Sequence, residues 1–319
     1  MIPKTSVISV YFGELPSYFQ LWLDSCGNNT FFDWNVFTDA PTGTYRTPRN
    51  VKYSRLTLEG FGEIVSKYLR FDIKITSPYK VCDFRPLFHI LLDPNERYEF
   101  WGHCDIDMIF GDMDKFLTPD LFRNYDKIFG VGHLTLYRND EKTNSFFQRP
   151  HPNLDWREIV SRSEHYGFDE HIGVNRIWKL HNGRFFENES IIADIDPGIT
   201  RFERASTFER IHNYRHQVFW VDRGAVKRLY ECAGRIQEES FMYIHFQKRK
   251  LPPPTFLPDT GRYYITPGGF VAMSDSPLDR REMDQLNGSP RLTWSELGYR
   301  LRRFARLARR SLNSGDTNP

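Results

Sequence analysis

Three pairs of aspartates in the chain are separated by one residue, namely Asp105 with Asp107, Asp112 with Asp114, and Asp194 with Asp196. At the end of a strand, such a pair points to one side of the backbone, where both carboxylates can chelate Mg²⁺ or Mn²⁺. A cation held in this way neutralises charge that develops on a phosphate leaving group. The chemistry that these residues could perform is metal-assisted transfer from a phosphorylated donor.

The sequence around the pairs favours the first one. Asp105 and Asp107 follow the aromatic run YEFWGHC at residues 98–104. We therefore expect them at the carboxyl end of a buried strand, which is the edge where open α/β sheets bind ligands. The second pair suits the start of a helix, near the positive end of the helix dipole. The third pair follows the apolar residues 191–193 and remains a rival metal site.

The elements that must position these residues indicate an α/β fold with a largely parallel sheet. Strand-like runs at residues 6–12, 34–38, 51–56, 98–104 and 127–131 alternate with helix-like runs at 16–26 and 58–69 and with a loop that enters a helix at 78–92. This alternation is typical of βαβ units. Beyond residue 140 the pattern is less regular, and Pro267-Gly268-Gly269 predicts a hairpin between residues 263–266 and 270–273.

The composition argues against several classes of protein. A net charge of +2 over 319 residues gives no general reason to expect a nucleic-acid partner. The four cysteines form no CxxC pair, so we expect neither a zinc site nor a disulfide framework, and a reducing compartment fits best. The first residues do not read as a signal peptide, and no run of about 18 apolar residues occurs. We expect a cytoplasmic protein that does not span a membrane.

Six stretches of the chain resemble a family of bacterial GT-A-like glycosyltransferases that is associated with capsule and O-antigen synthesis. In order they are YFGELPSYFQLWLDSC, FTD, SPYKVCDFRPLF, FWGHCDIDMIFGDMDKFL, YDKIFGVGHLTLYRN and YIHFQKR. They span roughly residues 5–250, and the DID segment is the most diagnostic. The resemblance implies a GT-A fold, which is Rossmann-like with a mixed, mostly parallel sheet, and a hexosyltransferase type of activity. It also implies a nucleotide-sugar donor, for which we expect UDP, and Mn²⁺ or Mg²⁺ at the DxD motif.

The resemblance also implies a polysaccharide or lipid-linked acceptor. We expect the chain to have three parts. Residues 1–135 would bind the nucleotide sugar, residues 136–285 would bind the acceptor and carry the catalytic groups, and residues 286–319 would form a basic amphipathic tail. From Arg291 to Arg310 the tail has seven arginines and one acid, Glu296. Leucines lie near helical spacing between the arginines, which suits either a helix on an anionic membrane or a helix docked on the domain. We therefore expect the protein to lie in the cytoplasm, either free or in peripheral contact with the inner face of the membrane.

By similarity to GT-A enzymes, Tyr11, Phe12 and Asp39 lie where the nucleoside is held. Tyr11 could stack on the base and Asp39 could accept a hydrogen bond from it. A core tyrosine and a turn aspartate would give the same sequence. Lys80 and Asp83, just before a helix and ahead of the DxD strand, could face the ribose and the donor sugar, or be solvated surface charges.

Further positively charged and metal-binding groups are expected around the diphosphate. Arg85 suits a diphosphate because its guanidinium donates in a bidentate fork. His245 lies on a strand-like run where GT-A enzymes place a late histidine ligand, and imidazole suits Mn²⁺ better than Mg²⁺. Lys248 follows it and offers a cation to the diphosphate. A purely structural His245 is the alternative.

Candidate catalytic residues follow the expected donor half. An inverting transfer needs a carboxylate or histidine base to take the acceptor proton, whereas a retaining transfer need not use one. Asp169 and Glu170 lie where related inverting enzymes have an acidic motif, and His133 could line the acceptor site. Paired surface acids would look the same in the sequence.

Two other functions fit part of the sequence. A sugar nucleotidyltransferase shares the sheet and the metal, but it needs a glycine-rich, arginine-containing loop after the first strand, and VYFGELPSY has one glycine and no arginine. A non-catalytic carbohydrate- or nucleic-acid-binding protein could use the basic tail and the aromatic residues, which make up 16% of the chain. Clustered buried carboxylates argue against it, because they are costly without a cation.

Overall fold

The computed structural model describes residues 1–93, 97–205, 211–255, 261–273, 278–288 and 293–302. The chain divides into two compact units, Met1–Asn188 and Glu189–Pro319. The expected boundary at residue 135 falls inside a strand of the first unit, and the assignment of donor and acceptor binding to successive parts of the chain stays a prediction. In the described ranges, no helix combines the length and the hydrophobicity that crossing a bilayer requires.

The first unit alternates strands and helices. Its strands are β1 (Thr5–Tyr11), β2 (Phe32–Thr38), β3 (Val51–Arg55), β4 (Phe100–Cys104), β5 (Met108–Phe110), β6 (Lys127–Val131), β7 (Leu134–Arg138) and β8 (Phe185–Phe186). Its α-helices are α1 (Phe19–Asn28), α2 (Leu58–Leu69), α3 (Phe88–Leu92), α4 (Pro119–Asn124), α5 (Glu141–Asn144), α6 (Trp156–Ser161) and α7 (Val174–Leu180). Shorter 3₁₀ segments are Pro78–Leu87, Met113–Lys115 and Phe146–Gln148.

One sheet in this unit has the order β3-β2-β1-β4-β7-β6-β8. Strands β1 to β4 run parallel to one another, and β7 runs against both of its neighbours, β4 and β6. The predicted α/β class with a mostly parallel sheet is therefore confirmed. Because β4 lies on the opposite side of β1 from β2 and β3, the strand order reverses between β1 and β4, which makes this the topological switch point of the sheet.

The local sequence explains why these elements form. The central strands are apolar because both faces of the sheet are covered, and β4 is buried along its whole length. Trp22 of α1 packs edge-on against Trp34 of β2, with ring centroids 6.0 Å apart. Helix α2 is capped at its start by Thr57, whose hydroxyl accepts the backbone N–H of Gly60 at 3.0 Å, and at its end by Arg70 in the left-handed conformation.

The second unit is built mainly of antiparallel strands. Its strands are β9 (Ile192–Asp194), β10 (Gln217–Asp222), β11 (Ala225–Cys232), β12 (Arg235–Phe241), β13 (Tyr243–His245), β14 (Arg262–Thr266) and β15 (Gly269–Ala272). The order β12-β11-β10-β14-β15 forms one antiparallel sheet, and β9 pairs with β13 in parallel. The β14–β15 hairpin confirms the turn prediction, whereas sequence analysis did not foresee the rest of this sheet.

Helices of the second unit lie late in the chain. Helix α8 (Arg280–Asn287) begins with a capping box between Asp279 and Glu282 and packs Met283 against Val218 and Tyr264. A further helical segment covers residues 294–302. Most of the predicted basic tail, including its last four arginines, lies outside the described residues.

Candidate active site

The candidate site is built at the carboxyl ends of β1 and β4. Tyr11 ends β1, and Asp105 and Asp107 come directly after β4. The two strands are parallel neighbours across the switch point, so their carboxyl ends share one edge of the sheet. Burial raises the pKa of the Tyr11 phenol, and the charges of Asp107, Glu14 and Asp105 raise it further. Tyr11 therefore lies within the negative field of the aspartate pair.

Asp105 and Asp107 fit a divalent cation. A carboxylate oxygen of one lies within 4.8 Å of a carboxylate oxygen of the other. Because metal–oxygen bonds to Mg²⁺ and similar ions measure about 2.0–2.6 Å, one ion can reach both. The backbone of Asp105 is held from two sides, since its N–H donates to the His133 carbonyl at 3.0 Å and its carbonyl accepts from the Trp22 indole at 3.2 Å. The two carboxylate ligands and the fixed backbone of Asp105 suit Mg²⁺ or Mn²⁺.

Arg85 links Asp105 to a second carboxylate, that of Asp169. Its Nη2 donates to Asp105 Oδ1, and its Nη1 donates to Asp169 Oδ2 at 2.7 Å and to the Gly132 carbonyl at 2.9 Å. Burial opposes the charge on Arg85, but the adjacent carboxylates outweigh it and raise the pKa of the guanidinium. A carboxylate has about four lone-pair positions, so Asp105 can keep this bond and also bind a cation. A direct contact between Arg85 and the donor stays a prediction.

Asp169 and Glu170 lie beside the Gly132-His133 turn. Asp169 is fully buried, and its Oδ1 has no hydrogen-bond partner among the described residues. Burial raises the pKa of Asp169 to about 7, against the lowering effect of Arg85 and with a further increase from Glu170. A Cβ on Gly132 would lie 2.8 Å from Asp169 Oδ2 and 2.9 Å from Glu170 Oε1, so glycine is needed there. Glu170, unlike Asp169, is exposed.

Lys80 and Asp83 anchor the loop that leads to Asp169. The Lys80 ammonium donates to Asp83 Oδ2 at 2.9 Å and to the carbonyls of residues 159 and 164 at 2.7 and 2.9 Å. Asp83 also accepts the backbone N–H groups of residues 166–168. Asp83, His165 and Asp169 have ligand atoms close enough for a metal, but the Asp83 oxygens already accept four hydrogen bonds. Both Lys80 and Asp83 position this loop, and their contact with a donor stays a prediction.

Phe12 and Asp39 lie near the ends of the first two strands. Phe12 is 8% exposed and packs against Phe61, with ring centroids 6.4 Å apart, so its ring belongs to the core. Asp39 Oδ1 accepts the backbone N–H of Gly13 at 2.8 Å. Gly13 has a φ of 95°, a conformation that favours glycine, and lies two residues after the end of β1. The Asp39 carboxylate thus ties the turn after β2 to the turn after β1, beside Tyr11.

His245 and Lys248 belong to the second unit. His245 ends β13, and its Nδ1 lies 2.8 Å from Asp194 Oδ1 on β9. Gln247 Nε2 donates to Asp194 Oδ2 at 2.7 Å, so both oxygens of this aspartate are engaged within the unit. Lys248 is exposed. The assignment of His245 to a metal and of Lys248 to a diphosphate stays a prediction.

Four features of this arrangement were not predicted from the sequence. Tyr18 was assigned only to a buried helix, yet burial and the charge of Asp107 raise its pKa. The Trp22 indole, the Gly132 turn and the Asp194 partnership with His245 were also missed. Only the turn dipeptide at Gly132 carried a local signal, because the other contacts join residues that are far apart in the chain.

Residues 7–274 match the model of a "Family of unknown function (DUF6625)", and the chain belongs to this family. A search of curated proteins finds no match. Among solved structures, the chain is similar to the galactosyltransferase LgtC in complex with donor and acceptor sugar analogs, at a TM-score of 0.36 and 10% identity. It is also similar to an active-site mutant of LgtC, at a TM-score of 0.36 and 9% identity. Each match covers 59% of this chain and 75% of the other. A likeness this distant assigns no activity to the chain.

Proposed function

We propose that this member of a family without an assigned function is a metal-dependent glycosyltransferase. It would move a sugar from a nucleotide donor, with UDP as the nucleotide, to a saccharide or lipid-linked acceptor in surface polysaccharide synthesis. The main support is the position of Tyr11 and of the Asp105 and Asp107 pair at the carboxyl ends of β1 and β4. Open α/β sheets bind nucleotides and phosphates at such a switch point.

The metal-binding part of the proposal uses Asp105 and Asp107. A bound Mn²⁺ or Mg²⁺ would supply positive charge to the leaving diphosphate. Arg85 would keep Asp105 in place, because it holds this carboxylate from the side of Asp169. His245 is the further ligand that the resemblance implies.

The nucleotide-binding part uses Tyr11 and Asp39. Half-buried Tyr11 offers a ring on which a base can stack, and such stacking tolerates any base. The Asp39 carboxylate keeps acceptor capacity after its bond to the Gly13 N–H, since each carboxylate accepts about four hydrogen bonds. We do not extend the nucleotide site to Phe12, whose ring packs in the core.

The acceptor-binding part favours Glu170 and His133 over Asp169 as a base. A general base must reach the acceptor hydroxyl within hydrogen-bond distance. Glu170 is exposed and His133 is half-buried, whereas Asp169 is enclosed and bonded to Arg85. If the transfer inverts configuration, we expect Glu170 to take the proton and Asp169 to act through Arg85.

Contact with a membrane is proposed for the end of the chain. In the helical segment 294–302, Trp294, Leu297 and Leu301 share one face and are 89%, 39% and 63% exposed. Apolar side chains next to arginines suit the surface of an anionic bilayer. Flotation with phosphatidylglycerol vesicles should recover the full chain and lose a variant in which these three residues are serine. Equal recovery would remove the membrane contact from the proposal.

Donor hydrolysis tests the proposed activity. With Mn²⁺, the purified full chain should release UDP slowly from its matching UDP-sugar, and chelation by EDTA should stop the release. Release of pyrophosphate from a nucleoside triphosphate and a sugar phosphate would instead favour the sugar nucleotidyltransferase. No binding of any nucleotide in a thermal-shift screen would favour the carbohydrate-binding protein.

A further inference from the structure

Asp194 receives two side-chain contacts at the end of β9. His245 Nδ1 lies 2.8 Å from its Oδ1, and Gln247 Nε2 donates to its Oδ2 at 2.7 Å. The first contact is built into the sheet, because β9 and β13 are parallel and place His245 directly opposite Asp194. The imidazole is buried, with 7% of its residue surface exposed. The ring is therefore held both by packing and by the carboxylate.

This contact decides which ring nitrogen of His245 can bind a cation. A carboxylate accepts hydrogen bonds, so the nitrogen that faces it carries the hydrogen, and the lone pair of a neutral ring is then on Nε2. Histidines that bind metals commonly donate their other ring N–H to a carboxylate, which fixes the ring and increases its basicity. Gln247 holds the second oxygen of Asp194, so the carboxylate has a fixed orientation as well.

We propose that Asp194 is a positioning residue that fixes His245 in the tautomer whose Nε2 binds a divalent cation. The inference rests on the function proposed above, in which His245 is a metal ligand. Asp194 thereby changes role, from the rival metal ligand suggested by its sequence to the support of a ligand. Gln247 acts one step further away, because it orients the Asp194 carboxylate.

The chain offers a matched control for this contact. His216 Nδ1 lies 3.0 Å from Asp284 Oδ1, and the two side chains are 15% and 28% exposed, close to the 9% and 23% of His245 and Asp194. The His216 pair joins the approach to β10 with α8 and takes no part in the proposed chemistry. Asp284→Asn therefore replaces the same kind of carboxylate partner with a neutral amide without touching the proposed ligand.

The experiment combines ¹⁵N NMR of the histidine rings in the full chain with Mn²⁺ titration in the presence of UDP. Wild-type His245 should show the Nδ1–H tautomer before any metal is added. Asp194→Asn should mix the two tautomers of His245 and weaken Mn²⁺ binding by about 10- to 100-fold, the usual effect of losing such a partner. Asp284→Asn should change the His216 signals and leave Mn²⁺ affinity as in the wild type.

Each other result has a separate meaning. If the wild type binds Mn²⁺ and Asp194→Asn changes neither the tautomer nor the affinity, the positioning role of Asp194 is wrong. If the wild type binds no Mn²⁺ although His245 holds the Nδ1–H tautomer, the proposed function fails, and the metal role of Asp194 fails with it. Should Asp194→Asn not fold, Gln247→Ala keeps the aspartate and should show a smaller change in the same direction, while no change would contradict the proposal.

Discussion

Arg85 Nη1 and Asp169 Oδ2 lie 2.7 Å apart, which joins the 3₁₀ segment before α3 to a loop 84 residues further along the chain. The same guanidinium donates to Asp105. The Arg85 guanidinium thus links Asp105, one of the two proposed metal ligands, to the buried carboxylate of Asp169. We call this arrangement of Arg85, Asp105 and Asp169 the brace. Three predictions concern this brace, and the last concerns the metal itself.

Removal of Arg85 should destabilise the protein strongly. At about pH 8, Asp169 is ionised because Arg85 helps to hold its pKa at about 7. Arg85→Ala removes this lowering effect, so the buried carboxyl loses its partner and must take up a proton in the folded state. We expect a loss of about 3–5 kcal/mol in the free energy of unfolding, measured by urea denaturation. The control is Arg162→Ala, which breaks an exposed pair with Glu158 and should cost about 0.5 kcal/mol or less. Similar losses for both variants would contradict the brace.

Asp169 should make stability depend on pH in a defined direction. Its pKa is about 7 in the folded chain against an ordinary value of 3.8, so between these values the folded state binds more protons than the unfolded state. The contribution of Asp169 to the free energy of unfolding is therefore greatest below about pH 4. It falls as the pH rises to about 7 and is constant above that.

The Asp169→Asn variant isolates this effect. From about pH 4 to 7, the wild type should lose unfolding free energy relative to the variant, by at most about 1.4 kcal/mol per pH unit. Urea denaturation of both proteins across this range gives the difference directly. A difference that stays constant, or that grows in favour of the wild type as the pH rises, would show that Asp169 is not a carboxyl group with a raised pKa.

Gly132 should tolerate no side chain. In Gly132→Ala, the added Cβ would lie within 3 Å of the carboxylates of Asp169 and Glu170 and displace them. We expect a loss of about 1–3 kcal/mol in stability, as for other overpacked sites, together with weaker Mn²⁺ binding. The matched control is Gly43→Ala, where no atom lies within 4 Å of the new Cβ. If both variants unfold at the same urea concentration, Asp169 and Glu170 do not lie against this turn.

Local patterns predicted strands β1 to β4 and β6 and helices α1 and α2 of the first unit. Helix α2 was predicted with its observed bounds, and β4 was predicted directly before Asp105, because apolar periodicity and turn residues act within a few positions. The switch point could not be derived in this way, since strand order depends on contacts between distant segments. In the five-stranded sheet of the second unit, the β14–β15 hairpin was predicted, whereas the exposed strand β12 carries few apolar residues and gave no local signal.

The roles of the charged residues were harder to predict than their presence. Lys80 and Asp83 were expected to face the donor, but their partners lie about 80 residues away in a loop that no local pattern connects to them. Asp169 was predicted to be a candidate catalytic base, whereas its burial next to Arg85 depends on the packing of the whole unit. Asp194 was given as part of a rival metal site, whereas its contact with His245 depends on the pairing of β9 with β13, which is not visible in the sequence.

The most direct test of the account is a calorimetric titration of the full chain with Mn²⁺ in the presence of UDP. We predict one ion per chain for the wild type, and affinities lower by at least about tenfold for Asp105→Asn and for Asp107→Asn, because each change removes an anionic oxygen ligand. Asp112→Asn, in the other aspartate pair of the first unit, should bind as the wild type does. Binding that is equal in all four proteins, or absent from the wild type, would contradict the assignment of the metal to Asp105 and Asp107.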